Sequence, residues 1–523
     1  MTRPATAVRD CGTEVVVVGA GPVGLLLAVE LRRSGVPVVV LDRLTAPMSE
    51  SRASQLSTQT AEHLHERGFD SLLAEAVREL RAHFAGLPLD LSGLPSDYAG
   101  NWKVPQYRTE AVLQARAEEL GAVLLRGHEL SGVSELADQV LCQADSPDGK
   151  LRIRAQYVVG CDGASSTVRR LCGFAVSQTA ATKEMLRADV TGLDLPDRRF
   201  ERLERGLAVA VTRDGVTRVM VHELGRGAVS RTTAPQFAEV ARVWHRVTGE
   251  DISGANAIWV DSFDNSRGLV TCYRRGRVLL AGDAAHWHMP IGGQALNVGL
   301  QDAVNLGWKL AGSVHGWAPP DLLDSYHSER HAVASSVLES VVAQEILLLG
   351  GGEVEPVRAV LAELLTLRQA GDQVARTVGG LDVRYGAGEH PLVGRRMPAV
   401  ELRDRSGMAA AELVTGVEGV VLSLTDPALT DPDGSAAEAD GDTVALTSGC
   451  RLRMVHAVPL RTDVFDGSST FLLRPDGYVA WAGNGEANLD SALVRWFGGR
   501  RCAPSAGTDG TQTVAARRVA SPA

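Results

Sequence analysis

The stretch from Gly282 to Gly299 restricts the fold more than any other part of the chain. It reads Gly282-Asp283-Ala284-Ala285-His286-Trp287-His288-Met289-Pro290, then Ile291-Gly292-Gly293-Gln294-Ala295-Leu296-Asn297-Val298-Gly299. The apolar run Val278-Leu279-Leu280-Ala281 before it predicts a buried strand, and Leu300 to Leu310 after it predicts an amphipathic helix. A strand ending in Gly-Asp, a glycine-rich turn and a helix amino terminus together make a seat for a flat, polar ligand. Asp283 accepts hydroxyl hydrogen bonds, the glycines admit close backbone approach, and the helix dipole faces an anion. Taken alone, the stretch is also compatible with an ordinary surface loop.

Two distant segments narrow that choice. Glu14 to Val18 predicts a strand that enters Gly19-Ala20-Gly21-Pro22-Val23-Gly24. Leu25 to Arg33 then predicts a helix, and Val36 to Leu41 a second strand ending at Asp42. A G-x-G-x-x-G between strand and helix, with an acid about 20 residues on, is the dinucleotide-binding context. Its glycines give the tight turn and the approach of a pyrophosphate, and Asp42 reaches the ribose. The motif leaves NAD and FAD equally open. The other segment is Gly160-Cys161-Asp162-Gly163-Ala164-Ser165-Ser166-Thr167-Val168-Arg169, which follows the short strand Tyr157 to Gly160.

With 523 residues the chain has room for two or three domains. Short alternating runs such as Leu207 to Val211 and Thr217 to Val221 predict a separate antiparallel sheet over 175–273. A Gln106-containing loop leads into a helix, and helical patterning continues beyond Leu310 through Arg330 and Leu361 to Leu367. A composition break near His390 opens a last region, in which Asp426 to Asp442 predicts a linker. There Arg474-Pro475-Asp476-Gly477 predicts a hairpin turn between Phe471-Leu472-Leu473 and Tyr478-Val479-Ala480-Trp481. The Ala-rich tail 501–523 predicts disorder.

The net charge of −10, without a basic stripe, argues against nucleic-acid binding. No apolar stretch approaches the roughly 20 residues that span a bilayer, and the amino terminus lacks a signal-peptide core, so no membrane partner is expected. The seven scattered cysteines form no C-x-x-C pair, which points to a reducing cytoplasm rather than disulfides or zinc. His286 and His288 have no third ligand in range, so no metal site is expected, and local packing or hydrogen bonding suits His288 better. Tyr326, Glu329 and Arg330 suit a structural network.

In order and spacing, the three segments resemble the group A FAD-dependent aromatic hydroxylases, monooxygenases with a p-hydroxybenzoate-hydroxylase-like fold. Ser51-Arg52-Ala53, Leu322 to Arg330 and Arg474 to Trp481 bring the likeness closest to hydroxylases that tailor angucycline-type aromatic polyketides. The resemblance implies an α/β fold: a Rossmann-like, glutathione-reductase-type FAD-binding domain, an inserted antiparallel-sheet substrate domain and a carboxy-terminal thioredoxin-like domain. The parts would be 1–174 (with a substrate-side excursion near 80–106) and 274–393 for the FAD domain, 175–273 for the sheet, 394–500 for the thioredoxin-like domain, which has only Cys450, and 501–523 for the tail.

The resemblance also implies residue roles. Gly19, Gly21, Gly24 and Asp42 would hold the ADP half of FAD, with Arg52 near the pyrophosphate and Gln106 beside the flavin. Asp162 would touch the pyrophosphate, in a motif also linked to NADPH use, and Asp283 would bond the ribityl chain. Pro290, Gly292, Gly293, Gln294, Ala295, Leu296 and Asn297 would line the flavin ring, with Pro290, Gly293 and Ala295 nearest the chemistry. Phe84, Met220, Trp259, Phe263, Trp287 and Pro290 are pocket-wall candidates. The activity implied is hydroxylation of a polycyclic aromatic polyketide by O₂ and NADPH or NADH, through a flavin C4a-hydroperoxide, in a monomer or homodimer.

Two positions depart from the family. Ala295 replaces the last glycine of Gly-Gly-Gln-Gly, which is costly if that position needs positive φ or close approach to the ring. Gln59 stands where an arginine is usual. Flavin binding is still expected, with altered ring motion. Three alternatives stay open: Baeyer–Villiger oxygenation of a quinone or ketone, a flavin-fold binding protein without redox turnover, and, most distantly, an NAD dehydrogenase.

Overall fold

The computed structural model describes residues 8–48, 53–386, 388–398, 402–403, 416–424, 443–459, 463–485 and 488–502. Arg52, the linker over 426–442 and the tail from 503 lie outside the described residues. Arg501, the first residue of the expected tail, pairs with Leu446, and its guanidinium Nε donates to Asp490 at 2.9 Å.

Val15–Val18 is buried on both faces and sits at the heart of a six-stranded sheet. The sheet order is Arg274–Arg275, Val278–Leu280, Tyr157–Gly160, Val15–Val18, Val38–Asp42 and Val123–Arg126. All neighbours are parallel except the first pair. Continuous valine and leucine runs suit this position, since both faces are covered. The carboxyl ends of Val15–Val18, Tyr157–Gly160 and Val278–Leu280 carry the three motif segments, so parallel pairing gathers them at one edge. The helix Pro22–Arg33 starts with proline in its first turn and ends with Arg32 and Arg33, each suited to its pole of the dipole.

The second sheet is antiparallel, in the order Arg198–Leu203, Gly206–Arg213, Val216–Glu223, Glu184–Thr191 and Asn256–Asp264. One face carries Leu186, Ala188, Val190, Ala208 and Val219 against the helix Phe237–Thr248. That helix interrupts a region expected to hold only strands. Its signal is present as apolar residues at 237, 240, 244 and 247, closed by Gly249 in the left-handed conformation. The opposite face presents Met185, Leu207, Val209, Met220 and Phe263 to Met289 and Ile291. A four-stranded sheet of Val8–Gly12, Gly149–Ala155, Val140–Ser146 and Glu129–Glu135 was not anticipated either. Gln106 opens the helix Gln106–Glu119 rather than lying in a loop.

The carboxy-terminal sheet runs Thr443–Ala445, Arg451–His456, Gly419–Ser423, Thr470–Leu473 and Val479–Gly483, followed by the helix Leu489–Phe497. Gly419–Ser423 is parallel to Arg451–His456 and antiparallel to Thr470–Leu473, a mixed thioredoxin-like arrangement. The expected hairpin joins its last two strands. Its turn is buried rather than exposed: Arg474 donates to Glu329 at 2.6 and 2.9 Å and to Asp476 at 2.9 Å. Four aromatic rings, those of Trp308, Tyr385, Tyr478 and Trp496, lie 4.8 to 5.5 Å from its guanidinium. Lys309 donates to Glu329 at 2.7 Å, and Arg330 binds Asp302 at 2.7 Å and Tyr385 at 2.9 Å. Tyr326 donates its hydroxyl to Leu280 O at 2.8 Å, so Tyr326, Glu329 and Arg330 all serve structure, as expected.

Glu329 and Arg330 belong to Ser325–Leu349, which by length and composition is long and apolar enough to cross a membrane. No such stretch was anticipated. Its polar groups are instead taken up by protein, with Glu345 accepting from Asn265 at 2.7 Å and Gln344 from the Ala85 amide at 3.2 Å.

Burial alone would raise the Glu329 pKa, yet Arg474 and Lys309 outweigh it and hold the carboxyl at about 2. The Glu329 pKa is thus lower in the folded chain than in the unfolded one. Its stabilising effect should be complete above about pH 5 and fade as pH falls through 4 towards 2. Glu329→Gln should flatten this acid dependence of the melting temperature. Arg474→Met, which strands buried carboxylates, should cost about 3–5 kcal/mol in chemical denaturation.

Candidate active site

The turn after Val15–Val18 is tightly packed on two sides and open on the third. A Cβ on Gly19 would stand 2.4 Å from Cys161 O, and one on Gly24 would stand 2.0 Å from Gly19 O. A Cβ on Gly21 would meet nothing within 4 Å. Gly21 begins the Pro22–Arg33 helix with no side chain capping it and no acid in its first turn. An open cradle at an uncapped helix start is an anion seat of pyrophosphate type. Asp42 faces it: Oδ2 accepts from the Ala20 amide at 2.7 Å and Oδ1 from the Leu44 amide at 2.8 Å. Each oxygen keeps a lone pair for a ribose hydroxyl.

Asp162 is engaged within its own segment. One oxygen accepts from the Thr167 and Val168 amides at 2.6 and 3.1 Å and the other from the Ser166 hydroxyl at 2.5 Å, so the carboxylate shapes the turn beside the cradle.

The Gly282 segment lies at the same edge. Asp283 opens to solvent, yet protein crowds it enough that burial raises its carboxyl pKa, with His286 opposing and Asp302 adding to the rise. Asp283 is thus reachable by a ligand although protein surrounds it. Asp302 accepts from the Gly282 amide at 3.0 Å and pairs with His286 Nε2 at 2.6 Å, which secures the turn. Gly292 and Gly293 hold positive φ of 72° and 69°, and the helix Gln294–His315 starts there with no capping side chain.

Ala295 is the second residue of that helix and does not take positive φ. The feared backbone cost is absent, because the left-handed positions fall on the two glycines before it. Asn297 clamps the loop, donating to Gly293 O at 2.7 Å and Gln55 O at 3.1 Å and accepting from the Ser57 amide at 2.8 Å. Gln294 reaches Val378 O at 3.4 Å, and Leu296 packs on the main core. Gln106 accepts from the Ala53 amide at 3.2 Å and donates to Glu110 at 2.7 Å. Pro290 is exposed just before the loop.

His288 makes the local bond expected of it, Nδ1 to Met289 O at 2.8 Å. Burial pulls its pKa to about 4, so Nε2, which is buried without a protein partner, is an unprotonated acceptor. Gln59, the other departure, is buried and donates to Tyr478 at 3.0 Å, so it ties the flavin side to the carboxy-terminal sheet. Among the described residues no group of three or more His, Cys, Asp or Glu is arranged for a metal ion.

The pocket candidates divide. Met220 and Phe263 meet on the sheet face that looks at Met289 and Ile291. Trp259 shares their face but lies farther out, with Arg187 and Arg218 at 4.6 and 5.9 Å from its ring centre. Phe84 belongs elsewhere, packed with Leu89, Leu91 and Val378. Trp287 packs on Gly268, with the Arg169 guanidinium 4.6 Å from its ring centre. Met185 and Leu207 were missed, although their alternation along the strands was legible. The ring and phosphate features together fit FAD: an open glycine cradle, two uncapped helix starts and a buried acceptor beside the loop.

Gly21→Ala should keep the melting temperature but lower bound FAD, read from flavin absorbance per chain. Gly24→Ala should impair folding itself. Ala295→Gly should leave FAD affinity unchanged and cost up to about 1 kcal/mol of stability.

Residues 12–341 match the FAD binding domain family, and residues 390–499 match the family described as aromatic-ring hydroxylase, C-terminal. A 12-dehydrotetracycline 5-monooxygenase/anhydrotetracycline 6-monooxygenase of Streptomyces rimosus is 37% identical, over 93% of this chain and 99% of its own. The crystal structure of CabE, an aromatic hydroxylase from angucycline biosynthesis, is 41% identical with a TM-score of 0.85, over 94% of this chain and 100% of its own. A dialkyldecalin synthase of Streptomyces rugosporus is 36% identical, over 92% of this chain and 98% of its own. Matches of this extent over both the cradle and the carboxy-terminal sheet make the chain a member of the FAD-dependent aromatic-ring hydroxylase family.

Proposed function

We propose that this chain uses FAD, NADPH or NADH, and O₂ to hydroxylate a polycyclic aromatic polyketide in antibiotic biosynthesis. The carrying observation is the apolar sheet face of Met185, Leu207, Val209, Met220 and Phe263 set opposite Met289 and Ile291 of the flavin loop. These side chains pack on one another in the chain itself, and their seam is the cleft in which a flat, apolar, multi-ring substrate would lie; the monooxygenase and hydroxylase names of the relatives support the class. Bound FAD, reduced by NAD(P)H, supplies an activated oxygen atom.

The protein's part is placement and shielding. The Gln294–His315 helix directs its uncapped amino end at the ring site, where roughly half a positive charge favours an anionic flavin edge. Asn297 fixes the loop, and Asp302 fixes the Gly282 turn before it. His288 Nε2 offers a buried acceptor for a ligand hydroxyl. The apolar face excludes water from the reacting ring. We place the reaction in the cytoplasm, in keeping with seven free cysteines.

The likeness to a dialkyldecalin synthase, whose name denotes no oxygenation, favours a second reading, a flavin-fold binding protein without redox turnover. The purified yellow protein, given NADPH and a panel of angucyclinones, should oxidise NADPH in a substrate-dependent way and yield a product with a new phenolic C–O bond by NMR. A lactone carbonyl would assign Baeyer–Villiger oxygenation instead. Bound flavin without substrate-dependent NADPH oxidation would support the second reading.

A further inference from the structure

Beside the flavin loop, three cationic side chains converge on one carboxylate. Asn101–Lys103 lies between Gln55–Leu56 and Val77–Glu79 in a three-stranded sheet, with Lys103 opposite Gln55 and Val77, and Asn101 opposite Glu79. Lys103 and Glu79 therefore share a sheet face. From the second sheet come Arg199, within Arg198–Leu203, and Arg213, at the end of Gly206–Arg213. Glu79 accepts from Arg213 at 2.8 Å, while Arg199 and Lys103 lie 3.6 and 3.9 Å away. Among the described residues Glu79 is the one carboxylate in ion-pair range of any of the three. Two positive charges stay uncompensated there, on a chain whose net charge is −10.

The cluster is joined to both halves of the cleft. Lys103 Nζ donates to Gln55 Oε1, and Gln55 Nε2 donates to Gly292 O at 3.2 Å. On the other side the His83 ring lies tilted against Phe200 with centres 4.2 Å apart, and Phe200 packs on the same apolar cluster as Met220 and Phe263. Burial pulls the Lys103 ammonium down to about 8, with Glu79 opposing the shift and Arg213 and Arg199 adding to it. Burial and then the Lys103 and Arg199 charges pull His83 down to about 4, so His83 is neutral and the local field is positive.

We propose that Lys103, Arg199 and Arg213 form a subsite for an anionic oxygen group of a ligand held in the cleft. The anion is either an ionised carboxyl or phenol of the polyketide or a phosphate of the nicotinamide reductant. Lys103, largely buried, supplies a point charge near the loop, and the half-exposed Arg213 and Arg199 supply planar donors at the mouth. Glu79 keeps the three cations gathered. The subsite rests on the reading of this cleft as the place of oxygenation.

Calorimetric titration of the FAD-loaded protein tests it without turnover. The probes are anthraquinone-2-carboxylate against its methyl ester, and NADP⁺ against NAD⁺. In one of the two pairs the more anionic member should bind about tenfold more tightly, the worth of a partly desolvated charged hydrogen bond. That preference should shrink towards unity in Lys103→Met and in Arg213→Gln, and survive in Lys103→Arg. Loss of the acid-over-ester preference assigns the anion to the polyketide, and loss of the NADP⁺-over-NAD⁺ preference assigns it to the reductant. Equal binding within both pairs by the unaltered protein, or variants that weaken both members equally, overturns the subsite. Arg213→Gln changes a half-exposed strand end, and bound FAD per chain verifies its fold. A protein that passes this test yet never oxidises NADPH refutes only the oxygenase reading.

Discussion

The structure depends on a buried, charge-balanced network where helix, flavin turn and carboxy-terminal sheet meet. Lys309, Arg330 and Arg474 stand against Asp302, Glu329 and Asp476, and all six are buried. None of these charges is tolerable there without its partners, since desolvation of a lone ion costs several kcal/mol. The network spans distant parts of the chain, with Glu329 and Arg474 145 positions apart. At its near end Asp302 holds the Gly282 amide and His286. At its far end Arg474 sits among aromatic rings from both the Gln294–His315 helix and the carboxy-terminal helix Leu489–Phe497. The carboxy-terminal sheet, which brings no redox cysteine pair, thus helps to position the flavin turn.

Around this centre the binding surfaces divide by chemistry. Under the proposed function, the two uncapped helix starts and the Gly21 opening would hold the pyrophosphate and the reduced flavin edge, both anionic. The apolar face of the antiparallel sheet would receive flat carbon rings. Rigid elements carry each part, and the loop between Pro290 and Asn297 is pinned to Gln55 by two hydrogen bonds. A reactive oxygen intermediate needs this division: charged contacts to hold the cofactor and a dry surface where oxygen transfers.

Legibility from sequence followed locality. Gly19, Gly21, Gly24 and Asp42 form one strand–turn–helix unit, so their spacing alone described the cradle. Ala295 was harder to judge. Whether a methyl is costly depends on φ, and helix initiation one residue earlier puts Gly292 and Gly293 in the strained positions. The helix Phe237–Thr248 was overlooked among strands despite its periodicity. Phe84 illustrates the limit for pocket walls: an aromatic residue looks the same whether it faces Leu89 and Val378 or a ligand. Trp287, too, is set by its neighbours, packed on Gly268 and beside Arg169.

The sequence by itself determined the family, the cofactor class and the order of strands and turns that carry the motifs, because those depend on residue type at short spacing. Only the tertiary structure decided which faces look into the cleft, that the Arg474 turn is buried rather than exposed, and that Lys103, Arg199 and Arg213 share Glu79. These are contacts between residues tens to hundreds of positions apart. Their existence is set by sheet register and helix packing, which no local pattern encodes.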